Sequence, residues 1–126
     1  DAVVEFAKIA DRYGVIIGTY GHAADGNLHT KMLLNPESPE SWRAGEKAVR
    51  DIFDTCLRLG GTVTGEHGVG ISKAPYFQKE RASAIIAMKA IKTALDPNNI
   101  MNPGKMQDWD GYIIQHLRYP CADQNQ

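Results

Sequence analysis

The sequence contains few cysteines, and this scarcity limits how the protein can be stabilised. Only Cys56 and Cys121 are present among 126 residues. Two thiols cannot build a disulfide framework, and they cannot supply the ligands of a cysteine-rich zinc site. We therefore expect a fold held together by its apolar core, in a reducing, cytoplasmic compartment.

A strong charge of either sign and long apolar runs are missing as well. Fourteen basic residues against fifteen acidic residues give a formal net charge of −1, so the sequence lacks the basic surplus of a dedicated nucleic-acid-binding protein. No apolar run approaches the ~20 residues that a membrane-spanning helix requires. We therefore expect no nucleic-acid partner, no transmembrane segment and no secretory leader.

The residues that are present suit one globular domain. Hydrophobic residues make up 43% of the chain and charged residues 23%, which is a globular rather than a disordered composition. A chain of this size buries roughly two-thirds of the surface that its unfolded form exposes. The sequence begins at Asp1 with a pattern that is already helical, which leads us to expect a piece of a longer protein.

The apolar periodicity predicts the element order α-β-β-α-β-α. Short β-branched runs predict strands at Val15–Ile17 and at Thr62–Thr64, with a hairpin between them. Helical spacing with suitable caps and stops predicts three helices: one that ends at Gly14, one from Ser38 to Gly60, and one over Phe77–Leu95 with Ile85, Met88, Ile91 and Leu95 as its buried stripe.

This order corresponds to an α+β fold. It matches a ferredoxin-like antiparallel sheet with helices on one face, lacking the first strand. A missing strand leaves an open sheet edge, and open edges pair with other chains. We therefore expect a homo-oligomer formed through that edge.

Two histidines flank the turn of the predicted hairpin. Asp25-Gly26 is the strongest two-residue hairpin signal in the chain, because both residue types tolerate the positive φ of a type I′ turn. Counting outwards from this turn pairs His22 directly with His29 on one face, with Cβ atoms about 5 Å apart. Two such imidazoles can share a metal ion, or they can form a hydrogen-bonded surface pair. A register shift of one residue would place them on opposite faces.

A carboxylate that could complete this site lies in a glycine-rich turn. Glu66 and His67 stand within GGTVTGEHGVG, directly after the predicted strand Thr62–Thr64, and the glycines let the backbone bend sharply there. If this strand lies beside the hairpin, Glu66 completes a His-His-carboxylate site with open positions, which suits zinc, manganese or iron. The alternative is that Glu66 and His67 only cap or pair locally.

Three segments, taken in order, resemble a known family. GHAADGNLH resembles GHxGDGNxH, GGTVTGEHGVG resembles GGxxxGEHGxG, and LDPNNIMNPGK resembles LDPxxxxNPGK, all from the FAD-linked oxidase C-terminal domain. That domain occurs in glycolate oxidase, D-lactate dehydrogenases and D-2-hydroxyglutarate dehydrogenase. The resemblance covers residues 1–105 and corresponds to the C-terminal half of the domain, and residues 106–126 form a non-family tail.

The resemblance implies a part of a flavoenzyme. Members of the family oxidise a D-2-hydroxy acid to the 2-oxo acid and pass a hydride equivalent to FAD. This chain would be the metal- and substrate-binding part of such a dehydrogenase or oxidase, of the glycolate or D-lactate type. His22, His29 and Glu66 would hold a divalent metal, and His67, next to Glu66, would act as the general base on the substrate hydroxyl.

Three further residues receive roles. The resemblance implies that Asn27 in the DGN turn and Asn102 in NPGK lie near the flavin or the substrate. Lys31 faces the same side of the hairpin as His29, where it can contact a substrate carboxylate or be simply an exposed cross-strand lysine. One position departs from the family pattern, because Ala24 stands where relatives usually have glycine.

The FAD-binding domain of the family has no counterpart in this sequence, and no glycine-rich nucleotide loop opens a helix. We therefore expect the chain to be inactive alone and to work with an FAD-binding domain or subunit on a 2-hydroxy acid substrate. The alternative is a non-catalytic truncated domain that acts as an assembly module. A third interpretation, a metal protein unrelated to flavin, is disfavoured by the NPGK ending, which metal chemistry does not require.

Overall fold

The computed structural model describes residues 1–106, which form two compact units. The first unit runs from Asp1 to Gly65, and the second begins at Glu66. Apart from Met106, the predicted non-family tail 106–126 lies outside the described residues. The first unit contains α1 (Ala2–Tyr13), β1 (Ile16–His22), a short 3-10 turn (Ala23–Asp25), β2 (Asn27–Leu33) and α2 (Pro39–Arg58).

The ends of α1 and α2 follow from local sequence signals, as predicted. Helix α1 ends at Gly14, which adopts the left-handed conformation with φ 62°, a conformation that glycine adopts without steric cost. Helix α2 begins after Ser38, whose hydroxyl accepts a hydrogen bond from the backbone N–H of Ser41 at 3.2 Å. Pro39 occupies its first turn, where a missing N–H costs nothing. Both helix boundaries are confirmed.

The core of the first unit lies between the two helices and one face of the sheet. Strands β1 and β2 form a two-stranded antiparallel sheet. Alternate residues of a strand point to opposite faces, so that one face meets the helices. The buried core residues are Phe6, Ile9, Ala48 and Ile52, and Ile17, Leu28 and Met32 of the sheet pack against them.

The other face of the sheet carries the two histidines. It also carries Ile16, Tyr20 and Leu33, each more than half exposed. Together with the second unit, the architecture is mixed α+β, with a two-stranded antiparallel sheet and four α-helices in residues 1–106. The predicted α+β class is confirmed, and the arrangement is consistent with a partial ferredoxin-like domain.

The predicted strand at Thr62–Thr64 is wrong. The segment carries no strand, and the described elements follow the order α-β-β-α-α-α. Val63 is buried, whereas Thr62 is exposed. The physical reason is length, because three β-branched residues enclosed by Gly61 and Gly65 are fewer than a typical strand contains, and glycine at either end weakens pairing.

The single helix predicted over Phe77–Leu95 is also wrong, because this part of the second unit contains two helices. They are α3 (Ala74–Arg81) and α4 (Ile85–Leu95), separated by a turn at residues 82–84. The predicted buried stripe fails as well, since no residue of α4 is buried and Leu95 is 78% exposed. Helical spacing identifies an apolar face, but it carries no information about whether another element covers that face.

A buried carboxylate ends α4, and the end of this helix at Leu95 agrees with the end predicted from the sequence. Asp96 is 6% exposed and accepts hydrogen bonds from the backbone N–H groups of Ile100 and Met101, at 3.0 and 2.9 Å. The Lys92 ammonium also donates to it. The hydrogen bond from Lys92, with the two backbone donors, lowers the pKa of the Asp96 carboxyl below its ordinary value.

None of the helices within residues 1–106 has the length and apolar character needed to cross a bilayer.

The lowered pKa of Asp96 predicts how stability changes with pH. Because the folded chain holds the carboxylate more strongly than the unfolded chain does, this stabilisation is present above the unfolded-state pKa of about 3.9 and is lost as the pH falls through the lowered pKa. Urea unfolding between pH 7 and pH 2.5 should therefore show a larger loss for the wild type than for Asp96→Asn. The pKa of Glu5 is also lowered, mainly by its hydrogen bond from Lys8. Because Glu5 is present in both proteins, its contribution to the pH dependence cancels when the two are compared. Equal pH dependence in the two would contradict this prediction.

Candidate metal centre

The hairpin register differs from the predicted one. His22 lies opposite Asn27, and His29 lies opposite Tyr20. The turn is longer than two residues, with a 3-10 turn over Ala23–Asp25 closed by Gly26 at φ 69°. A type I′ turn needs positive φ at both central residues, but Gly26 has it and Asp25 does not. The prediction of Asp25-Gly26 as a two-residue turn, with His22 directly opposite His29, is therefore wrong.

The two histidines nevertheless share one face. The register differs from the predicted one by two residues, and a shift of two preserves the side of the sheet on which a residue lies. His29 is thus the diagonal neighbour of His22 across the two strands, a position within reach of long and aromatic side chains. The imidazole centroids are 5.8 Å apart, with the rings edge to face at 80°.

Asn27 lies between two glycines that leave room for it. A Cβ on Gly65 would stand 2.3 Å from the Asn27 side-chain oxygen, and a Cβ on Gly21 would stand 2.2 Å from the Asn27 backbone oxygen. Both distances are far below a normal contact, so a Cβ at either position would force the neighbouring Asn27 atoms to move. The Asn27 amide therefore lies directly against the backbone of Gly65, the residue that precedes Glu66.

Three predicted ligands come together. His22, His29 and Glu66 each offer one ligand atom, and these atoms all lie within 4.8 Å of one another. His22 and Glu66 are exposed, and His29 is half-buried. Bonds of about 2.0–2.2 Å from zinc to nitrogen and oxygen place the ligand atoms of one ion roughly 3–4 Å apart. Small side-chain rotations would therefore suffice to bring these three atoms around a single ion. Two imidazoles and a carboxylate with open positions suit zinc, manganese or iron.

His67 lies beside the carboxylate ligand. Its Nε2 atom is 3.5 Å from Glu66 Oε1, and its side chain is 66% exposed. Glu66 and His67 are thus close enough to pair with each other, which is the alternative that the sequence analysis left open. The exposed ring can also be reached by a hydroxyl group from solution. The role of His67 as a general base stays a prediction.

Three other predicted residues occupy different surroundings. Lys31 is exposed on the face of the histidines, opposite Gly18. Asn27 is half-buried against Gly65. Asn102 lies in the second unit, exposed and with φ 48°. The contacts of Asn27 and Asn102 with flavin, and of Lys31 with substrate, stay predictions.

Tyr20 is a residue that the sequence reasoning missed. Its ring centroid lies 5.2 Å from that of His29, at an interplanar angle of 36°. The signal that could have found it was its spacing, because Tyr20 and His22 are two apart and therefore lie on the same face of β1. The predicted register placed His22 opposite His29 and Tyr20 opposite Lys31, so the direct pairing of Tyr20 with His29 could not be derived.

The two glycines around Asn27 predict different costs of substitution. Gly21→Ala places a methyl group against backbone atoms at φ 148°, so we expect a loss of about 3 kcal/mol in the free energy of unfolding. Gly65→Ala meets a side-chain amide, which can rotate away, so we expect a loss of about 1 kcal/mol or less. Urea unfolding of the two variants measures both. Equal losses would contradict the contacts described for Asn27.

Comparison with known proteins identifies the family. The family model for FAD linked oxidases, C-terminal domain, matches residues 1–106. Glycolate oxidase subunit GlcD of Bacillus subtilis (strain 168) is 50% identical over 99 residues, which cover 78% of this chain and 21% of that protein. The mitochondrial cytochrome D-lactate dehydrogenase of Arabidopsis thaliana is 43% identical over 100 residues, 79% of this chain and 18% of that protein.

A third relative, D-2-hydroxyglutarate dehydrogenase of Stutzerimonas stutzeri (strain A1501), is 40% identical over 90 residues, which cover 69% of this chain and 19% of that protein. The chain thus spans about a fifth of the length of the relatives it matches. The predicted resemblance is confirmed, and the three sequence motifs all fall within the matched residues. The chain belongs to the family of FAD-linked oxidases, whose C-terminal domain its residues 1–106 match.

Proposed function

We propose that this chain is the metal- and substrate-binding part of an FAD-dependent D-2-hydroxy acid dehydrogenase or oxidase. The observation that carries the proposal is the approach of ligand atoms from His22, His29 and Glu66 to within 4.8 Å of one another. The relatives are named for the oxidation of glycolate, D-lactate and D-2-hydroxyglutarate. All three compounds carry a hydroxyl group next to a carboxylate, a pair of oxygens that can chelate one divalent ion.

The proposed chemistry assigns separate tasks to the ligands and to His67. A divalent ion at this site would supply Lewis acidity that favours loss of the hydroxyl proton, and FAD held by the rest of the enzyme would serve as the hydride acceptor. His22, His29 and Glu66 would hold the ion and leave positions open for the substrate. His67 would take the hydroxyl proton on a ring nitrogen. Its exposed side chain and its position next to Glu66 support this assignment.

The surroundings of Lys31 support a role for this residue in substrate binding. Its ammonium group has no carboxylate partner among residues 1–106, and it lies 5.8 Å from the ring centroid of Tyr20. It occupies the same sheet face as His22 and His29. A cation that is not neutralised by a neighbour remains free to bind an anionic group of the substrate. Under the proposal, Lys31 binds a substrate carboxylate.

The chain alone would not complete the reaction. It spans about a fifth of its relatives, and its own sequence shows no nucleotide-binding loop. An FAD-binding domain or subunit would supply the flavin, with Asn27 and Asn102 of this chain near it. Addition of FAD and glycolate or D-lactate to the isolated chain should therefore give no turnover.

The sheet edge supports a second candidate function, in assembly. Within residues 1–106, each strand of the sheet has a hydrogen-bonded neighbour on one side only. Unpaired edges accept strands from other chains, so the chain would form a homo-oligomer or dock on a larger partner. Light scattering at high protein concentration tests the homo-oligomer, and a monodisperse monomer would argue against it.

The metal site predicts a defined metal content. After dialysis without chelator, mass spectrometry should find about one divalent ion per chain. His22→Ala and Glu66→Ala each remove a ligand atom, so the metal affinity should fall by more than the roughly 10–100-fold that loss of an outer-shell partner costs. His67→Ala is the control, because the proposal makes His67 a base and not a ligand. Unchanged stoichiometric metal in both ligand variants, or no metal in the wild type, would contradict the proposal.

A further inference from the structure

The sheet face that carries the histidines has a regular arrangement of side chains. Tyr20 lies directly opposite His29, and Gly18 lies directly opposite Lys31. Residues directly opposite in an antiparallel pair have Cβ atoms about 4.5–5.5 Å apart. Tyr20 is thus the direct cross-strand neighbour of one candidate metal ligand, and it lies two residues from the other, His22.

The ring of Tyr20 contacts the His29 imidazole. The two centroids are 5.2 Å apart, within the range of attractive aromatic pairs. On another side, the His29 ring meets His22 edge to face at 5.8 Å. His29 therefore has an aromatic ring against it in addition to the ring with which it would share a metal. Tyr20 keeps this contact although it is 54% exposed.

Lys31 contacts the ring of Tyr20 in turn. Its Nζ atom is 5.8 Å from the ring centroid, within the distance at which a cation is attracted by an aromatic face. Gly18 adds no side chain here, and a Cβ built on it would meet only the Lys31 backbone oxygen, at 3.9 Å. Lys31 thus lies beside the Tyr20 ring, in the space that a side chain at Gly18 would otherwise occupy.

We propose that Tyr20 is a positioning residue for the metal centre, whose ring holds the His29 imidazole in the orientation that faces His22. The inference rests on the proposed metal-binding function. A partly exposed imidazole loses rotamer freedom when it binds an ion, and this loss reduces the affinity. A ring that already restricts His29 removes part of that loss, because the ligand is preorganised.

The test compares Tyr20→Ile with Tyr20→Phe. Isoleucine keeps the strand propensity but removes the ring, and phenylalanine keeps the ring but removes the hydroxyl. Titration of Zn²⁺ against a chromophoric chelator should show roughly tenfold weaker binding for Tyr20→Ile, the lower end of the effect of outer-shell partners, and little change for Tyr20→Phe. With Co²⁺, the visible absorption bands of Tyr20→Ile should differ from those of the wild type.

Two further variants serve as controls. Leu33→Ala removes an apolar side chain that is 66% exposed on the same face, away from the histidines, and should leave the Zn²⁺ affinity unchanged. Lys31→Met removes the cation that flanks Tyr20 and should weaken Zn²⁺ binding less than Tyr20→Ile does. Urea unfolding of all four variants separates a loss of affinity from a loss of fold.

The outcomes distinguish this inference from the function on which it rests. If the wild type binds Zn²⁺ and Tyr20→Ile binds it equally well, Tyr20 does not position His29, while the metal site stands. If Tyr20→Phe loses as much affinity as Tyr20→Ile, the hydroxyl and not the ring is responsible, and the inference is overturned. If the wild type binds no divalent ion, the proposed metal site and the inference both fail.

Discussion

The pairing of β1 with β2 is the constraint on which the rest of the first unit depends. Backbone hydrogen bonds fix which residues lie opposite each other, and the alternation of side chains then decides which face each one occupies. One face, through Ile17, Leu28 and Met32, closes the core with the two helices. The other face receives His22 and His29. The same ladder therefore stabilises the fold and sets the separation of the two imidazoles.

Much of the fold was predictable where the signal is local. Gly14 and Ser38 end and begin their helices through their own backbone and side-chain preferences, which operate in any context. The segment Thr62–Thr64 shows the limit, because β-branched residues favour an extended backbone, but three residues between two glycines are fewer than a typical strand contains. The exposed apolar residues of α4 show a second limit, since periodicity describes a face and not its surroundings.

The site was predictable in composition but not in geometry. The types of candidate ligand and their order follow from the motifs. The prediction that the histidines share one face was correct despite the incorrect register, because the register differs by an even number of residues. The contact of Tyr20 with His29 depends on the true register, which the extended turn over Ala23–Asp25 determines. Turn length is the weakest part of sequence reasoning here, because Asp25 can adopt either sign of φ and the choice depends on the whole loop.

The contact between Asn27 and Gly65 divides the candidate site into a rigid part and an adjustable part. The two histidines project from a hydrogen-bonded ladder, and changing the spacing of their backbone positions would mean rebuilding the hairpin. The chain that leads to Glu66 carries no strand, and its Gly65 lies against the Asn27 side-chain amide. A substitution at Gly65 therefore acts first on the segment that carries the carboxylate, and not on the ladder that carries the histidines. Under the proposed function, such a division would let the position of one candidate ligand change separately from the positions of the other two.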